Sequence, residues 1–575
     1  MSESTRPVLE TMIDKDGREY VCTRTAPCGG VDDAFVGHNQ AIPVVFVPGI
    51  MGSPLIATGD NRDIWPKKLG KWAWFPDDAL NWVVCGYGKL EYHQRRRLLD
   101  PAKTRTLASP RDVDMKTFRK FFKGSGLPAE EAVRRGWGSV MISSYGDILL
   151  YLENQLRFIF YRGRPYPGTY GAMPLDPGAW GELKGYSKLS EETLCRAAAW
   201  RFPVYAAGYN WMESNSKAAD FLKERIDAIR RDCRSRLGLK CDKVILVTHS
   251  MGGLVARLCA KRNPADILGI VHGVQPATGA GTAYARVRGG WDANLSILSP
   301  FASLESMVGA WALGSTAWEV ASVFAGGAGP LELLPSQLYG PGWLKVQYGH
   351  GRAAETVVSL PEKDPYGEIY RERDRWWRLI DPRCLVNEKD QKKPHRIKEE
   401  WSKYTGQLGY AHAFHAELGG YYHPQTYAHC GDDAGQPAWH EVAWQLEPLV
   451  DSITGRRAPR PSPKAALEAT LLTDYKDGRC EIHDRSSAGD VLFSRNGAGV
   501  VAHSAGNRYR AHLGGKDDSG DATVPAHSGL APRDHSVFFA RIKGFEHQNS
   551  YKDEAVKAVT LYSMISLAAT AETLP

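Results

Sequence analysis

Residues 244–256 read VILVTHSMGGLVA, and this stretch decides the fold class. Its first four residues, Val244–Val247, have the composition of a buried strand. A histidine and a serine follow, and two glycines then lead into an apolar segment typical of a helix. The stretch therefore predicts a strand, a sharp turn that carries Ser250, and a helix that starts close to the strand.

The segments around this turn repeat the same order of elements. An earlier apolar run at Val44–Val47 and a later one at 267–274 are predicted strands, and apolar residues at helical spacing predict a helix over 216–237. Alternating strands and helices are typical of a parallel sheet with crossover helices. Continuous apolar runs fit strands that are covered on both faces. We therefore predict an α/β fold with a mostly parallel central sheet.

This α/β pattern is interrupted in the middle of the chain. Residues 1–40 form a polar lead-in, and the core is assigned to residues 41–280 and 511–575, which include a late strand at 536–542. Residues 281–510 show no α/β repeat. We predict that they form a cap or lid and further helical or irregular insertions.

The composition narrows the class of protein. The 575 residues are 43% hydrophobic and 24% charged, as in ordinary globular proteins, and the formal net charge is +7. No long block of Lys or Arg accompanies this charge, which argues against a nucleic-acid partner but fits approach to anionic lipid.

The first residues lack the apolar region of a secretory signal peptide. The apolar stretch 307–329 contains Glu319 and is read as a buried helix or lid, not as a membrane span.

Ser250 has the surroundings that a nucleophile requires. A serine hydroxyl needs a base, a group that orients the base, and N–H donors for the oxyanion. The segment Thr248–Gly252 resembles the pattern G-x-S-x-G, with Thr248 in place of the first glycine. The Met251 amide is one predicted oxyanion donor, and the Ile50 amide, after the Pro48-Gly49 turn, is the other. The alternative is that Ser250 and the Pro-Gly segment are ordinary turns.

The acid and the base are expected late in the chain, in that order. The candidate acids are Asp517, Asp518 and Asp521. We select Asp521, which lies about one strand upstream of the predicted base. His547 follows the predicted strand 536–542 and precedes the last helix, which is where this fold delivers its histidine. The competing histidines are His527 and His535.

Six short segments resemble a known family in their sequence and order. They are PVVFVPGIMGSPL (43–55), GYNW (208–211), THSMGG (248–253), LLPSQLYG (333–340), GDATVP (520–525) and GFEH (544–547). In these segments the chain resembles the lecithin:cholesterol acyltransferase-like α/β-hydrolases and the related bacterial and GPI inositol-deacylase-like lipases. The resemblance implies Ser250 as nucleophile, Asp521 as orienting acid and His547 as base. Asn210 stands where the family has an aspartate, and we interpret this as a structural change.

The lack of a signal peptide gives the resemblance a further implication. An insertion-rich bacterial member of this kind resembles the phospholipase effectors of type VI secretion. This implies synthesis in the cytoplasm, export to a target cell's periplasm, a peripheral contact with the membrane, an immunity protein and a partner in the secretion apparatus.

A lipid substrate also requires an apolar surface near the serine. The predicted substrate-binding residues are Phe301, Trp311 and Trp318, with Phe324 as a further candidate; the alternative is that these residues belong to the core of the cap.

The sequence gives no firm metal or cofactor site, and we predict none. Histidines gather between residues 395 and 440, and the pattern HAFH (412–415) has spacing that suits zinc. Polar insertions nevertheless collect histidines without binding metal. Asp517 and Asp518 offer a still weaker calcium site.

These observations predict a serine lipase or phospholipase that hydrolyses acyl esters of membrane lipids. Two alternatives stay open at this point. The same triad could transfer an acyl chain to an alcohol, or the fold could survive in an inactive protein that binds a membrane or a partner.

Overall fold

The computed structural model describes most of the chain. The described residues are 11–13, 19–21, 39–58, 71–75, 77, 90–107, 112–113, 115–122, 127–157, 160–161, 164–165, 177–291, 314, 316–450, 455–485, 491–496, 499–504 and 506–572.

The described strands and helices are numbered here in chain order. The strands are β1 (Thr11–Ile13), β2 (Glu19–Val21), β3 (Val44–Val47), β4 (Leu55–Ala57), β5 (Trp72–Trp74), β6 (Thr104–Thr106), β7 (Phe160–Tyr161), β8 (Arg164–Pro165), β9 (Glu182–Lys184), β10 (Val204–Ala206), β11 (Val244–His249), β12 (Ile267–Gly273), β13 (Leu344–Tyr348), β14 (Glu355–Leu360), β15 (Thr426–Gly431), β16 (Asp433–Ala438), β17 (Val442–Pro448), β18 (Thr470–Asp474), β19 (Arg479–Asp484), β20 (Val491–Asn496), β21 (Gly499–Ser504), β22 (Asn507–Leu513), β23 (Asp518–Gly520) and β24 (Phe538–Ile542). The α-helices are α1 (Tyr92–Leu98), α2 (Met115–Phe121), α3 (Ala129–Arg134), α4 (Ile142–Arg157), α5 (Glu191–Ala198), α6 (Asn215–Ser235), α7 (Gly252–Arg262), α8 (Gly281–Gly289), α9 (Ala317–Phe324), α10 (Ala328–Leu331), α11 (Pro394–Leu418), α12 (Pro463–Glu468), α13 (Ala526–Gly529) and α14 (Glu554–Ala568).

A seven-stranded sheet forms the centre of the molecule. Its strand order is β10-β3-β11-β12-β15-β24-β9, and all neighbours pair in parallel except β9, which pairs antiparallel with β24 at the edge. Every residue of β3 and β11 is buried, because helices cover both faces. This arrangement is the predicted α/β-hydrolase fold with its mostly parallel sheet.

The strands and helices predicted around Ser250 are present with small shifts at their ends. The strand Val44–Val47 has the predicted bounds, and the strand predicted at Val244–Val247 continues to His249. The amphipathic helix predicted over 216–237 is α6, which begins after Ser214, whose hydroxyl accepts the Ser216 N–H. Gly238, just past its end, has φ +69°, a conformation that favours glycine.

One strand of the central sheet lies inside the region predicted to be an insertion. Strand β15 pairs with β12 and β24, so residues 426–431 belong to the core and not to the cap. The sequence TYAHCG contains Thr426, His429 and a glycine in place of an apolar run, although all six residues are buried. The Thr426 hydroxyl donates to the His423 carbonyl, which satisfies its buried oxygen. The prediction that 281–510 is wholly insertion is therefore wrong at this strand.

The rest of the insertion contains a second sheet, whose strand β22 continues to Leu513, past the predicted boundary at residue 510. Its order is β14-β13-β17-β22-β19-β18, and it is antiparallel except for the parallel pair β13–β17. The apolar stretch 307–329 contributes the short helices α9 and α10 over its described part. Among the helices that the structure describes, none combines the length and the apolar character needed to cross a bilayer.

Candidate active site

Ser250 lies on a strained turn between β11 and α7. Its φ is +53°, a left-handed conformation that side chains other than glycine rarely adopt and that costs about 1–3 kcal/mol. The turn projects the side chain at the carboxyl end of β11. A Cβ on Gly252 would lie 2.4 Å from the Val47 carbonyl oxygen, so only glycine lets the helix start this close to β3. The sharp turn predicted from the sequence is confirmed, and the proposed nucleophile is held in a strained backbone conformation.

Thr248, which replaces the usual first glycine, is accommodated by the neighbouring strand. It is fully buried, and its register partner on β12 is His272. The Thr248 hydroxyl and His272 Nδ1 form a hydrogen bond of 3.1 Å. The Thr248 carbonyl oxygen accepts a 2.8 Å hydrogen bond from the Tyr551 hydroxyl. A threonine therefore fits here because its polar groups find buried partners.

Ser250, His547 and Asp521 form one chain of hydrogen bonds. The Ser250 hydroxyl lies 2.8 Å from His547 Nε2, and His547 Nδ1 lies 2.8 Å from Asp521 Oδ2. Because Nδ1 faces a carboxylate, it carries the ring proton, and Nε2 is free to accept the proton of the serine. This order of nucleophile, base and orienting acid is what proton abstraction from a serine requires.

Backbone groups fix the Asp521 carboxylate. Its Oδ1 accepts the N–H groups of Thr523 (3.1 Å) and Val524 (2.7 Å), while Oδ2 is directed at His547. Asp521 packs against the end of β15, where a Cβ on Gly431 would lie 2.6 Å from the Asp521 Cβ. The strand that the sequence did not reveal thus provides the surface on which the acid lies.

The two predicted oxyanion donors lie on either side of Ser250. Ile50 follows the Pro48-Gly49 turn at the end of β3 and lines the same pocket as Ser250. Met251 precedes the first residue of α7. Among the backbone hydrogen bonds of the described residues, neither amide is a donor. A Cβ on Gly49 would lie 2.9 Å from the Ser250 Cβ, so the two turns approach as closely as backbone allows.

His249 and Tyr145 connect His547 to the turn at residues 48–50, which is called the oxyanion turn below. Gly49 N–H donates to the Tyr145 hydroxyl (3.3 Å), which lies 3.0 Å from His249 Nδ1. His249 Nε2 donates to the His547 carbonyl oxygen at 3.0 Å. Burial, together with the nearby His547, lowers the pKa of His249 to about 3. His249 is therefore neutral, and it holds the base and the oxyanion turn in one hydrogen-bonded unit.

The pocket in front of Ser250 is mainly apolar. It is lined by Met51, Trp74, Met141, Pro276, Ala280, Ala283, Trp291, Phe324, Leu333 and Val524, among others. Phe324, a further candidate for the apolar surface, lines this pocket. Phe301 and Trp311 lie outside the described residues.

Trp318 is not part of this pocket, and its predicted role in substrate binding is wrong. It is buried in α9, its ring lies 5.9 Å from that of Tyr92, and Lys476 Nζ lies 3.8 Å from its centroid. Helix α9 places Phe324 in the lining of the pocket and packs Trp318 against α1, because the two residues lie on different faces of a helix that is buried on nearly all sides.

The pocket also contains polar residues that the sequence did not indicate. Arg286 and Thr282 lie four residues apart on α8 and both line the pocket. The Arg286 guanidinium lies 4.0 Å from the Trp291 ring centroid and donates to the Thr523 hydroxyl at 3.3 Å. Their helical spacing was visible in the sequence, but nothing in it placed this face of α8 beside Ser250.

The competing histidines and acids have other partners. His527 Nε2 bonds to the Tyr339 carbonyl oxygen, and His535 stacks on Tyr422. Asp517 accepts the N–H groups of His440 and Glu441, and Asp518 accepts that of His527. These contacts are structural, and they leave Asp521 and His547 as the pair next to Ser250.

The histidines of the pattern HAFH pack around one tyrosine. His412 stacks on Tyr366 at 4.4 Å between ring centroids, and His415 Nδ1 lies 2.8 Å from the Tyr366 hydroxyl. The other nitrogen of His415 bonds to the Glu332 carbonyl oxygen. His415 is therefore used on both sides, and the pair is not arranged to hold a metal.

Asn210 has a structural place near the oxyanion turn. Its Nδ2 donates to the Thr104 hydroxyl (3.1 Å), and its Oδ1 accepts the Met212 N–H (3.2 Å). The next residue, Trp211, donates to the Ser53 carbonyl oxygen just beyond that turn. An amide suits this position because it must donate and accept at once.

Solved structures match this chain, including one that covers nearly its full length. The structure is reported as the crystal structure of the Tle4-Tli4 complex, and it matches with a TM-score of 0.68 and 26% sequence identity over 93% of this chain and 100% of that chain. No family model and no curated protein sequence matches the chain. The match confirms the α/β-hydrolase fold and the resemblance to lipases that include the type VI secretion phospholipase effectors.

We expect Ser250 to react with a fluorophosphonate probe. The wild-type protein should be labelled at Ser250, and His547→Gln should slow labelling by about 100-fold or more because the base is lost. Ser143→Ala is the matched control, since Ser143 lines the same pocket but its hydroxyl donates to Asp77. Peptide mapping of the adduct is the measurement. Equal labelling of wild type and His547→Gln would contradict the assignment of the base.

Proposed function

We propose that this protein is a serine phospholipase that hydrolyses acyl esters of membrane lipids. The observation that carries the proposal is the unbroken chain from Ser250 through His547 to Asp521, which opens on an apolar pocket. An inactive binding protein has no need to hold a serine in a strained conformation against a base. The similarity to the Tle4 structure supports the same class of hydrolase.

The proposed reaction follows from the positions of these groups. His547 Nε2 takes the proton of Ser250, and the serine oxygen attacks the ester carbonyl. The N–H groups of Ile50 and Met251 stabilise the oxyanion. The tetrahedral intermediate then collapses, the alcohol leaves with the proton from His547, and the acyl chain stays on Ser250. Water, activated by His547, releases the fatty acid and restores the serine.

The polar residues of the pocket support a phosphate-containing substrate. Among the described residues that line the pocket, Arg286 carries the one permanent charge. The Thr282 hydroxyl is buried and has no partner among the described residues. A guanidinium and a hydroxyl on the same helix face suit the oxygens of a phosphodiester. We infer that the acyl chain occupies the apolar part and that the headgroup phosphate lies against α8.

The biological setting is proposed from the resemblance. The matched structure is a complex of Tle4 with Tli4, and we infer that this chain also has a protein partner, of the immunity type. As a type VI effector it would be delivered to a neighbouring cell and act there on the periplasmic face of the membrane. The net charge of +7 favours approach to anionic lipid.

Ser250→Ala should abolish the release of fatty acid from mixed phospholipid vesicles and leave the fold intact, because only the attacking oxygen is removed. Mass spectrometry of the lipids identifies the products, and circular dichroism checks the fold. Added long-chain alcohol or sterol tests for acyl transfer: the proposal expects free fatty acid as the main product in its presence. Activity that survives in Ser250→Ala would refute the mechanism, and an acyl ester of the acceptor as main product would favour a transferase.

Arg286→Gln should lower kcat/KM for a phospholipid by about 10- to 100-fold, because the charge-assisted contact of the guanidinium with the phosphate is lost. It should change turnover of a diacylglycerol with the same acyl chains much less. Arg286→Lys is the matched variant and should retain part of the activity, since it keeps the charge but not the bidentate geometry. Equal losses on both lipids would show that Arg286 does not read the phosphate.

A further inference from the structure

Three potential metal ligands meet on the second sheet, away from the serine pocket. They are His350, just after β13, Glu447 on β17 and His512 on β22. One atom of each lies within 4.8 Å of the other two. None of the three lines the pocket of Ser250. The proposed reaction therefore does not account for their convergence.

The register of the strands explains why these residues meet. Strand β17 pairs with β22 so that Gln445 lies opposite His512, and Glu447, two residues on, shares the face of Gln445. On its other side β17 pairs with β13 in parallel up to Tyr348–Leu446. The Gly349 N–H then donates to the Leu446 carbonyl oxygen (3.1 Å), and φ +100° at this glycine turns the chain so that His350 reaches Glu447.

The distances suit a small tetrahedral ion. His350 Nε2 lies 2.9 Å and His512 Nδ1 lies 3.5 Å from Glu447 Oε1. Zinc bonds of about 2.0–2.1 Å in tetrahedral geometry place neighbouring ligands about 3.3 Å apart. The two imidazole rings are nearly parallel, at 28° and 5.4 Å between centroids, so both present their edges to the same carboxylate.

A neighbouring side chain prepares one of the histidines for metal binding. His512 Nε2 lies 3.1 Å from Gln445 Oε1, and as the donor of that bond it leaves Nδ1 unprotonated toward Glu447. Metal-binding histidines commonly donate their second N–H to an oxygen in this way.

We propose that His350, Glu447 and His512 form a zinc-binding site that joins β13, β17 and β22. Two imidazoles and one carboxylate are the donor set that zinc accepts at sites with an open fourth position, here filled by water. His350 is more than half exposed, with 58% of its side chain accessible, so the ion can exchange with solvent. The site stabilises the second sheet and takes no part in ester hydrolysis.

Zinc titration of the full-length protein tests the site. Metal-free wild type to which zinc is added should keep one zinc per chain through gel filtration. Cobalt added in place of zinc should give the visible absorption of a tetrahedral ion. Zinc should also raise Tm in wild type, because it binds only the folded state. The variants His350→Ala and Glu447→Gln should lose all three effects.

The matched control is His395→Ala, which removes an exposed histidine on α11 and should behave as wild type. Because His350 lies on the surface, His350→Ala should have the wild-type Tm and circular dichroism without metal. Equal zinc retention and an equal rise in Tm in wild type and His350→Ala would overturn the proposal, as would wild type that retains no zinc. Ester hydrolysis is measured separately, so its loss or survival does not affect this result.

Discussion

The positive φ of Ser250 is the constraint on which the rest of the site depends. The turn exists because Gly252 has no side chain to collide with the Val47 carbonyl and because Gly49 lets the oxyanion turn approach the serine. The strain costs about 1–3 kcal/mol, and the fully buried strands β3 and β11 hold it in place. A relaxed turn would be more stable, but it would move the hydroxyl away from His547.

The hydrogen bonds behind the serine distribute this constraint over several elements. Tyr145 on α4 contacts the oxyanion turn, and His249 contacts both Tyr145 and the backbone of His547. Asp521 is held by backbone amides in front of β15. The proposed nucleophile, base, acid and oxyanion donors therefore come from separate parts of the chain but form one hydrogen-bonded and closely packed unit. In such a unit the geometry needed for reaction exists before the substrate binds.

The sequence predicted those parts whose physical cause is local. Apolar runs located β3 and β11, and the small residues around Ser250 located the turn. Chain order selected Asp521 and His547 among several acids and histidines. Strand β15 was not predicted because its buried residues include the polar Thr426 and His429, which interrupt the apolar run that identified β3 and β11. Trp318 was misassigned because apolar character does not reveal which face of α9 meets the pocket. The positions of the remaining residues depend on contacts between distant segments, which spacing in the sequence does not encode. These residues are Arg286, Tyr145, His350, Glu447 and His512.

We propose that Ser250 carries the acyl chain during turnover. Rapid quenching of the reaction with a chromogenic ester, followed by peptide mapping, measures this intermediate directly. We expect a burst of product that approaches the enzyme concentration, with the acyl group on Ser250 and its decay at the rate of fatty acid release. Turnover with no adduct on Ser250, or with the acyl group on another residue, would contradict it.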